Sequence, residues 1–355
     1  MAALAAILKA LRRAVGRDLG TLEAIKVNNL FLFVALLVAG ALSSGQPPKS
    51  AYPFFVLLGF LLLFPLSSDP LARIPRARLG LWPLSGRQKL GLRFASLALS
   101  PVTWIGSLIL WRTARPLLAL AFCGLAAAMQ GALALGRCAV QRDPHWNMLG
   151  GIPQFPGRLG GLVRKNLREM LTMMDPYAAA LLSIGGGAYR IFGAHPDAAA
   201  APIVGLLMAL TLSTGAQSLF ALDGDAGMTR CHLLPLRGWE ILLAKDIAFL
   251  AILLVLLLPL DPWPGLAFGL AALAVGHKPS VRADLPQQRW RFASGNIAFG
   301  AMQTVGGMGI GFLEYRQGPA VLALAAMGCA ASVYYYGRRW EREYRLRGVR
   351  PHNSV

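Results

Sequence analysis

The stretch "PAVLALAAMGCAASVYYYGRRWEREYRLRGVR" (residues 319–350) opens with a run of apolar and small side chains that ends in three tyrosines. A helix that crosses the hydrocarbon layer of a bilayer needs about 20 residues of this kind. Arginines follow the tyrosines directly, an order typical of a span end with aromatic rings at the headgroups and cations in cytoplasmic water. The stretch therefore predicts a membrane-spanning helix at 319–336 whose C-terminal end lies in the cytoplasm.

The rest of the chain has the same character. Of its 355 residues, 55% are hydrophobic and only 14% are charged, which is outside the range of soluble globular domains. We therefore predict an all-α, polytopic membrane protein of about 10 transmembrane helices, in which the pair within 246–276 could instead form a re-entrant hairpin. The predicted spans are 29–43, 51–66, 94–111, 117–136, 177–192, 200–222, 246–260, 263–276, 297–312 and 319–336.

The formal net charge of +19 is distributed unevenly about these spans. With the N-terminus inside, 30 of the 35 lysines and arginines fall on the side of the two termini. This positive-inside bias predicts a multi-pass protein of the inner (cytoplasmic) membrane with both termini in the cytoplasm. It also argues against nucleic acid as a partner, because such a surface gathers its basic residues on one folded face. The other side has Lys49, Arg112, Arg115, Arg190 and Arg316.

Two segments of the chain resemble each other. "LWPLSGRQKLGLR" (81–93) aligns without gaps with "LLPLRGWEILLAK" (233–245). An even number of predicted spans separates them, so they predict two parallel internal repeats related by an axis along the membrane normal. The alignment pairs Pro83 with Pro235, Leu84 with Leu236, and Arg93 with Lys245.

Polar segments and periodicity predict the domain organisation. Leucines three to four residues apart, with lysine and arginine between them, indicate an amphipathic helix in the membrane interface at 1–26. The Pro- and Gly-rich segment 141–161 suits a boundary between the repeats. In order, we predict this interfacial helix, a first transmembrane repeat (27–140), a cytoplasmic linker (141–163), a second transmembrane repeat (164–276), a cytoplasmic loop (277–296), a C-terminal helix pair (297–336) and a basic cytoplasmic tail (337–355).

The sequence shows little chemistry of its own. Asp223 and Asp225 are too few to hold a divalent cation that takes six or more oxygens, so they predict a helix cap. The sequence contains no Gly-x-x-x-x-Gly-Lys-Ser/Thr loop, no His-Glu-x-x-His pair and no Gly-x-Ser-x-Gly elbow. The four cysteines have neither disulfide nor zinc spacing. We therefore predict a protein that is not an enzyme and has no catalytic, metal or cofactor residues.

The predicted spans carry almost no charge. This disfavours an ion-coupled carrier, which keeps charged groups buried in its spans. Arg190 and Asp246 lie near span ends, where we expect them to reach water. The glycines of "GGMGIGF" (306–312) predict close helix packing. Hydrogen bonds between helices are expected to account for three neutral polar residues, Gln130, Gln217 and Gln303.

The stretch "FALDGDAGMTRCHLLPLRGWEILLAK" (220–245) resembles the signature of bacterial type-2 ABC exporter permeases. In that family a phenylalanine, an aspartate and a glycine precede a Leu-Leu/Ser-Pro element and a Leu-Leu-x-Lys ending. "LVRKNLREMLTMMDP" (162–176) is similar to the basic helix that opens such domains, with Asn166 where the family has an acidic residue. The matching positions are Phe220, Asp223 or Asp225, Gly227, Leu234, Pro235, Leu242, Leu243 and Lys245, and then Arg164, Lys165, Leu167, Arg168 and Pro176.

The resemblance implies the permease subunit of an exporter that pairs with a separate cytoplasmic ATPase, and the ATP would bind to that partner. The loop 222–245 would couple to the ATPase, as would its first-repeat counterpart 67–93 with Pro83, Leu84 and Arg93. Trp239 and the leucines of the loop would supply contact area, while Lys245 would face lipid phosphates or acidic groups of the partner.

Three further questions stay open at this point. Two copies in one chain are compatible with a pseudo-dimer or with a homodimer. A non-transporting membrane scaffold or assembly protein with a permease-like fold is an alternative function. A membrane-embedded lipid-processing enzyme that uses Asp223 and Asp225 is another.

Overall fold

The computed structural model divides the chain into two compact units, and their boundary at Trp146/Asn147 falls inside the predicted linker 141–163. The first unit comprises Met1–Val27 and Phe31–Trp146, and the second comprises Asn28–Leu30 and Asn147–Val355. The structure describes residues 26–30, 32–33, 155–193, 198–223, 233–281 and 292–348, together with Ile7, Lys9, Ala10, Arg13, Ser85, Gln88, Gly91, Leu92, Ala95, Gly124 and Cys231.

In the first unit the described residues are a short strand, β1 (Lys26–Val27), and scattered helical positions. Ser85 and Gln88 form a capping box, in which Gln88 Oε1 accepts from Ser85 N at 3.0 Å and Gln88 N donates to Ser85 Oγ at 3.3 Å. The first four predicted spans fall almost wholly outside the described residues. The predicted coupling residues Pro83, Leu84 and Arg93 also lie outside them.

The second unit is helical throughout its described residues, apart from short connections. The helices described in it are α1 (Gly160–Met170), α2 (Asp175–Phe192), α3 (Ala200–Ala216), α4 (Gly238–Leu257), α5 (Pro262–Val281), α6 (Ile297–Gln317) and α7 (Pro319–Gly348). A 3-10 turn at Ala221–Asp223 follows α3, and a two-residue strand, β2 (Gly295–Asn296), precedes α6.

Local chemistry explains several helix ends. The side chain of Asn296 caps α6 by accepting from Ala298 N at 2.9 Å. Gly318 ends the same helix with a φ of 78°, a conformation that favours glycine, and Pro319 then begins α7. At the start of α4, Glu240 Oε2 accepts from Arg237 N at 2.6 Å.

The centre of the second unit is α5, which packs against α3, α4, α6 and α7. Two glycines of α6 allow close approach: a Cβ at Gly307 would lie 2.8 Å from the Phe268 ring, and one at Gly311 would lie 2.8 Å from Pro264 O. Nothing described lies within 4 Å of a Cβ at Gly306 or Gly309. The prediction of close packing at 306–312 is confirmed for the two glycines that face α5.

Among the described residues, one helix contains a stretch long and apolar enough to cross a membrane. It is the 24-residue segment Pro319–Arg342 of α7, and the predicted span 319–336 lies within it. The agreement concerns length and composition alone. The shorter apolar helix Ala200–Ala216 falls within another predicted span.

Several boundaries differ from the predicted ones. The linker predicted at 141–163 includes the first turn of α1, and α5 continues to Val281, past the start of the predicted loop 277–296. The helix at the span predicted for 246–260 begins at Gly238, and α7 continues to Gly348 through much of the predicted tail. The predicted boundaries were placed where short polar or charged runs interrupt the apolar sequence. Such runs do not break the backbone hydrogen bonds of a helix, so the helices extend past them.

Candidate functional site

Asp223 ends the 3-10 turn after α3, and its side chain is fully buried. Its Oδ2 accepts a hydrogen bond from Lys245 Nζ of α4 at 2.8 Å. Its Oδ1 accepts a second one from Lys165 Nζ of α1. This carboxylate therefore connects the end of α3, the helix α4 and the basic helix α1.

Lys245 lies inside the protein, with only 2% of its surface exposed. Its ammonium group donates to Asp223, to Leu219 O at 2.9 Å and to Asn166 Oδ1 at 3.4 Å, which uses all three of its protons. The same nitrogen lies 4.9 Å from the centre of the Phe220 ring, a distance suited to a cation–π contact. The prediction that Lys245 faces a partner is wrong. The long aliphatic part of its side chain lies inside the protein, where its ammonium group reaches the carboxylate of Asp223.

Electrostatic contacts favour the charged forms of Asp223 and Lys165. Burial raises the pKa of Asp223, but the Lys245 charge and the bonds from the two lysines outweigh it, so the net shift is downward. Burial lowers the pKa of Lys165, and its bond to Asp223 more than offsets this, so the net shift is upward. When the pKa shifts of both partners favour the charged forms, the ion pair persists and holds its two elements together. We call the contacts of Asp223 with Lys165 and Lys245 the tie.

Two further side chains border the cluster. Cys231 donates its thiol to Asp223 Oδ2 at 3.7 Å and is almost fully buried. Burial, followed by the negative charge of Asp223, raises the pKa of this thiol to about 11. Glu169 lies 3.4 Å from Lys165 Nζ, and burial raises the pKa of its carboxyl group.

The basic face of α1 opens into a cavity of about 620 Å³ beside this cluster. Its lining includes Arg164, Lys165 and Arg168, the cations of the basic helix predicted at 162–176, together with Phe155 and the carboxylate of Glu169. With three cations against one carboxylate, this concave surface suits an anionic group such as a lipid phosphate.

The described residues just before α4, Leu233–Pro235, form an exposed apolar stretch, here called the loop tip. Leu233 is 80% exposed, Leu234 and Pro235 are also exposed, and the Arg158 guanidinium donates to Pro235 O. Trp239, at the start of α4, is half-buried and its backbone contacts Gly337 of α7. The predicted loop residues Asp225 and Gly227 lie outside the described residues.

A second buried cluster was missed by the sequence analysis. Asp246, the neighbour of Lys245, is 2% exposed, and its Oδ2 lies 3.0 Å from His277 Nε2 of α5. The prediction that Asp246 reaches water is wrong, because the helix begins eight residues earlier, at Gly238, and carries this side chain inward. A carboxylate within an apolar run was the available signal, but its partner lies 31 residues away in the sequence.

Neutral polar side chains link the helices elsewhere. Gln303 Oε1 accepts from Gln217 Nε2 at 2.7 Å and from Asn29 Nδ2 at 2.8 Å, while Gln303 Nε2 donates to Ala272 O. The prediction of interhelical hydrogen bonds is confirmed for Gln217 and Gln303, and Gln130 lies outside the described residues.

Asp175, at the first turn of α2, is fully buried. It accepts from Asn28 Nδ2 at 2.8 Å and from Ala293 N at 2.7 Å. Burial raises the pKa of this carboxyl group to about 6, and the two hydrogen bonds only partly oppose the rise. Asn28, Asp175 and Ala293 are far apart in sequence, so local patterns could not reveal this contact.

No family model, no curated protein and no solved structure matches this chain.

Proposed function

We propose that this chain is the permease subunit of an ABC-type exporter, a multi-pass protein of the inner membrane that works with a separate cytoplasmic ATPase. The observation that carries the proposal is a buried tie beneath an exposed apolar loop: Phe220, Asp223 and Lys245, all positions of the permease-like motif, meet in one contact cluster.

The tie closes the base of the loop. Asp223 and Lys245 are 22 residues apart, and they stand at the two ends of the segment that resembles the coupling element. A force applied to the loop tip would therefore reach α4 through Lys245 and α1 through Lys165, because both lysines bind the same carboxylate. Such a rigid base is what a permease needs to convert motion of an ATPase into motion of its helices.

The tip has the composition of a contact surface. Leu233 and Leu234 present apolar area, and the exposed Arg237 stands next to them. Apolar centres with arginine nearby are typical of protein interfaces. An exposed leucine pair on a loop whose base is pinned therefore favours a protein partner over a lipid-facing loop.

The repeat proposal has one local parallel in support. Ser85 and Gln88 of the first segment align with Arg237 and Glu240 of the second. In both, the side chain of the later residue accepts from the backbone N of the earlier one. A second, similarly capped coupling segment agrees with two permease-like halves in one chain.

The lipid-processing enzyme is less well supported. Both oxygens of Asp223 bind ammonium groups, which leaves this carboxylate poorly placed to hold a cation or to attack a substrate. The scaffold alternative shares the exposed tip, and it differs from the exporter in needing no ATPase.

Purification of the tagged full-length chain from its native membrane tests the proposal. We expect a co-purifying subunit that carries a Gly-x-x-x-x-Gly-Lys-Ser/Thr loop and hydrolyses ATP. In the double variant Leu233→Ala/Leu234→Ala the association should weaken at least about tenfold, because two leucine contacts are lost. The matched control is Leu254→Ala/Leu258→Ala, which changes two exposed leucines near the other end of α4 and should retain the complex.

A complex that lacks an ATPase would favour the scaffold alternative. Full association and full ATPase activity in Leu233→Ala/Leu234→Ala would contradict the coupling role of the loop. A Lys245 variant is unsuitable for this test, because Lys245 is a buried part of the fold.

A further inference from the structure

Three metal-binding side chains from three helices converge inside the second unit. They are Asp246 of α4, His277 of α5 and Cys329 of α7, and a ligand atom of each lies within 4.8 Å of the other two. All three residues are buried. Their wide separation along the chain explains why cysteine spacing did not reveal them.

Hydrogen bonds determine the tautomer of His277. Ser332 Oγ lies 2.9 Å from Ala274 O and 2.8 Å from His277 Nδ1. A carbonyl oxygen can only accept, so the single hydroxyl proton of Ser332 goes to Ala274 O. Ser332 Oγ must therefore accept from Nδ1–H, which leaves His277 Nε2 directed at the carboxylate of Asp246.

We propose that Asp246, His277 and Cys329 bind one divalent transition-metal ion of the Zn²⁺ class. Imidazole nitrogen, thiolate sulfur and carboxylate oxygen are the donors that this class of ion takes in proteins. Ser332 would orient the imidazole by accepting from Nδ1–H, since a ligating histidine commonly donates its other ring N–H to a fixed acceptor. The proposal does not depend on the exporter function.

Two of the ligands need only a small adjustment, and Cys329 Sγ, within 4.8 Å of the other two ligand atoms, must come to about 3.5 Å from them. In a tetrahedral zinc site, nitrogen and oxygen ligands at about 2.0–2.1 Å from the metal are about 3.3 Å apart. His277 Nε2 and the oxygens of Asp246 are 3.0 and 3.1 Å apart, so they must separate by a few tenths of an ångström. Three protein ligands leave the fourth position for a water molecule or another small ligand.

Charge balance also favours the ion. Neutral imidazole, carboxylate and thiolate together carry two negative charges, which a divalent ion cancels. The bound site then has no net charge, which matters because an uncompensated charge is costly in a buried position.

The test uses Co²⁺ as a spectroscopic probe on the detergent-solubilised full-length chain. We expect one ion per chain by equilibrium dialysis and a cobalt–thiolate charge-transfer absorption. Cys329→Ser should abolish the absorption. Cys231→Ser is the matched control, because Cys231 is also a buried free cysteine but belongs to the other cluster, and it should leave the absorption unchanged.

Ser332→Ala keeps all three ligands and provides a second variant if Cys329→Ser does not fold. Loss of such a supporting hydrogen bond should weaken binding about 10- to 100-fold while the absorption persists at saturation. Absence of a thiolate absorption in the parent chain, or its survival in Cys329→Ser, would overturn the proposal. The three residues would then be an Asp–His hydrogen bond beside an inert thiol.

Discussion

Lys245 and Asp246 are adjacent in α4, yet their side chains contact different parts of the fold. Lys245 Nζ lies 2.8 Å from Asp223 Oδ2 at the base of the loop, whereas Asp246 Oδ2 lies 3.0 Å from His277 Nε2 of α5. Through His277 and Ser332 the second contact continues to α7. One dipeptide thus joins the loop to the central helices, and any displacement of α4 acts on both clusters.

The tie at Asp223 predicts unequal roles for its two lysines. Lys245→Met removes a buried charge and leaves Asp223 with Lys165 alone, so we expect a loss of about 3–5 kcal/mol in the free energy of unfolding. Lys165→Met should cost less than about 1 kcal/mol, because its side chain is 44% exposed and Lys245 remains in place. Thermal unfolding in detergent, followed by circular dichroism, measures both.

A double variant separates the ion pair from general packing. Lys245→Met/Asp223→Asn removes both buried charges. Its loss of unfolding free energy should therefore be smaller than the sum of the losses in the two single variants. Equal destabilisation by Lys165→Met and Lys245→Met would show that the buried bond of Lys245 contributes no more to stability than the half-exposed bond of Lys165.

The contact between α4 and α7 predicts a sharp difference between two glycines of α7. A Cβ at Gly337 would lie 2.6 Å from Trp239 N, in contact with backbone that cannot move aside. Gly337→Ala should therefore cost about 1–3 kcal/mol. Gly328→Ala is the control on the same helix, where nothing described lies within 4 Å of the new methyl group.

The same thermal unfolding assay compares them. Gly328→Ala should be neutral or slightly stabilising, since alanine favours the helix. A loss at Gly328 as large as that at Gly337 would mean that helix propensity, and not the contact with α4, decides the outcome.

The sequence was sufficient for features that depend on neighbouring residues. An apolar run followed by tyrosines and arginines predicts the membrane-length helix within α7. The glycines of 306–312 predict close helix packing, which Gly307 and Gly311 of α6 make against α5. Both patterns are local, so composition and periodicity contain them.

Contacts between distant residues could not be predicted in this way. The motif identified Phe220, Asp223 and Lys245 as related positions, but not that the lysine is buried against the other two. Whether a charged side chain at a helix end faces water depends on how far the helix extends and how it is rotated against its neighbours. The same rotation of α4 brings Asp246 to His277, and no local sequence pattern predicts this contact.

Thiol labelling tests the orientation of the loop. Leu233→Cys introduces an exposed thiol at the tip, and a membrane-impermeant maleimide should label it in inverted vesicles but not in intact cells. Native Cys231 should stay unlabelled in both, because it is 3% exposed and its thiol pKa is about 11. Relative to a cysteine with the ordinary thiol pKa of 9.0, its thiolate fraction at neutral pH is smaller by roughly a factor of 100.

A matched cysteine marks the other end of α4. Leu258 is 66% exposed and lies near the outer end of the predicted span 246–260, so Leu258→Cys should be labelled in intact cells. Mass spectrometry of the labelled peptide identifies the site. Labelling of Leu233→Cys in intact cells would place the loop outside and end the proposal of a cytoplasmic ATPase partner.

The raised pKa of Asp175, which precedes the predicted span 177–192, predicts a pH dependence of stability. Its folded-state pKa of about 6 exceeds the ordinary value of 3.8, so the folded protein binds this proton more tightly than the unfolded chain does. Stability from this group is full below about pH 4 and is lost as the pH rises through 6. The total is on the order of 3 kcal/mol.

Asp175→Asn isolates this contribution, since asparagine is neutral at every pH and its amide oxygen can still accept from Ala293 N. Between pH 5 and pH 7.5 the unfolding temperature of the parent chain should fall relative to that of Asp175→Asn, because only the parent has to ionise the buried carboxyl group of residue 175. Carboxyl groups such as Glu169 titrate in both proteins and cancel in the difference. A difference that is constant across this range would show that Asn28 and Ala293 stabilise the Asp175 carboxylate fully, so that its burial imposes no penalty on the charged form.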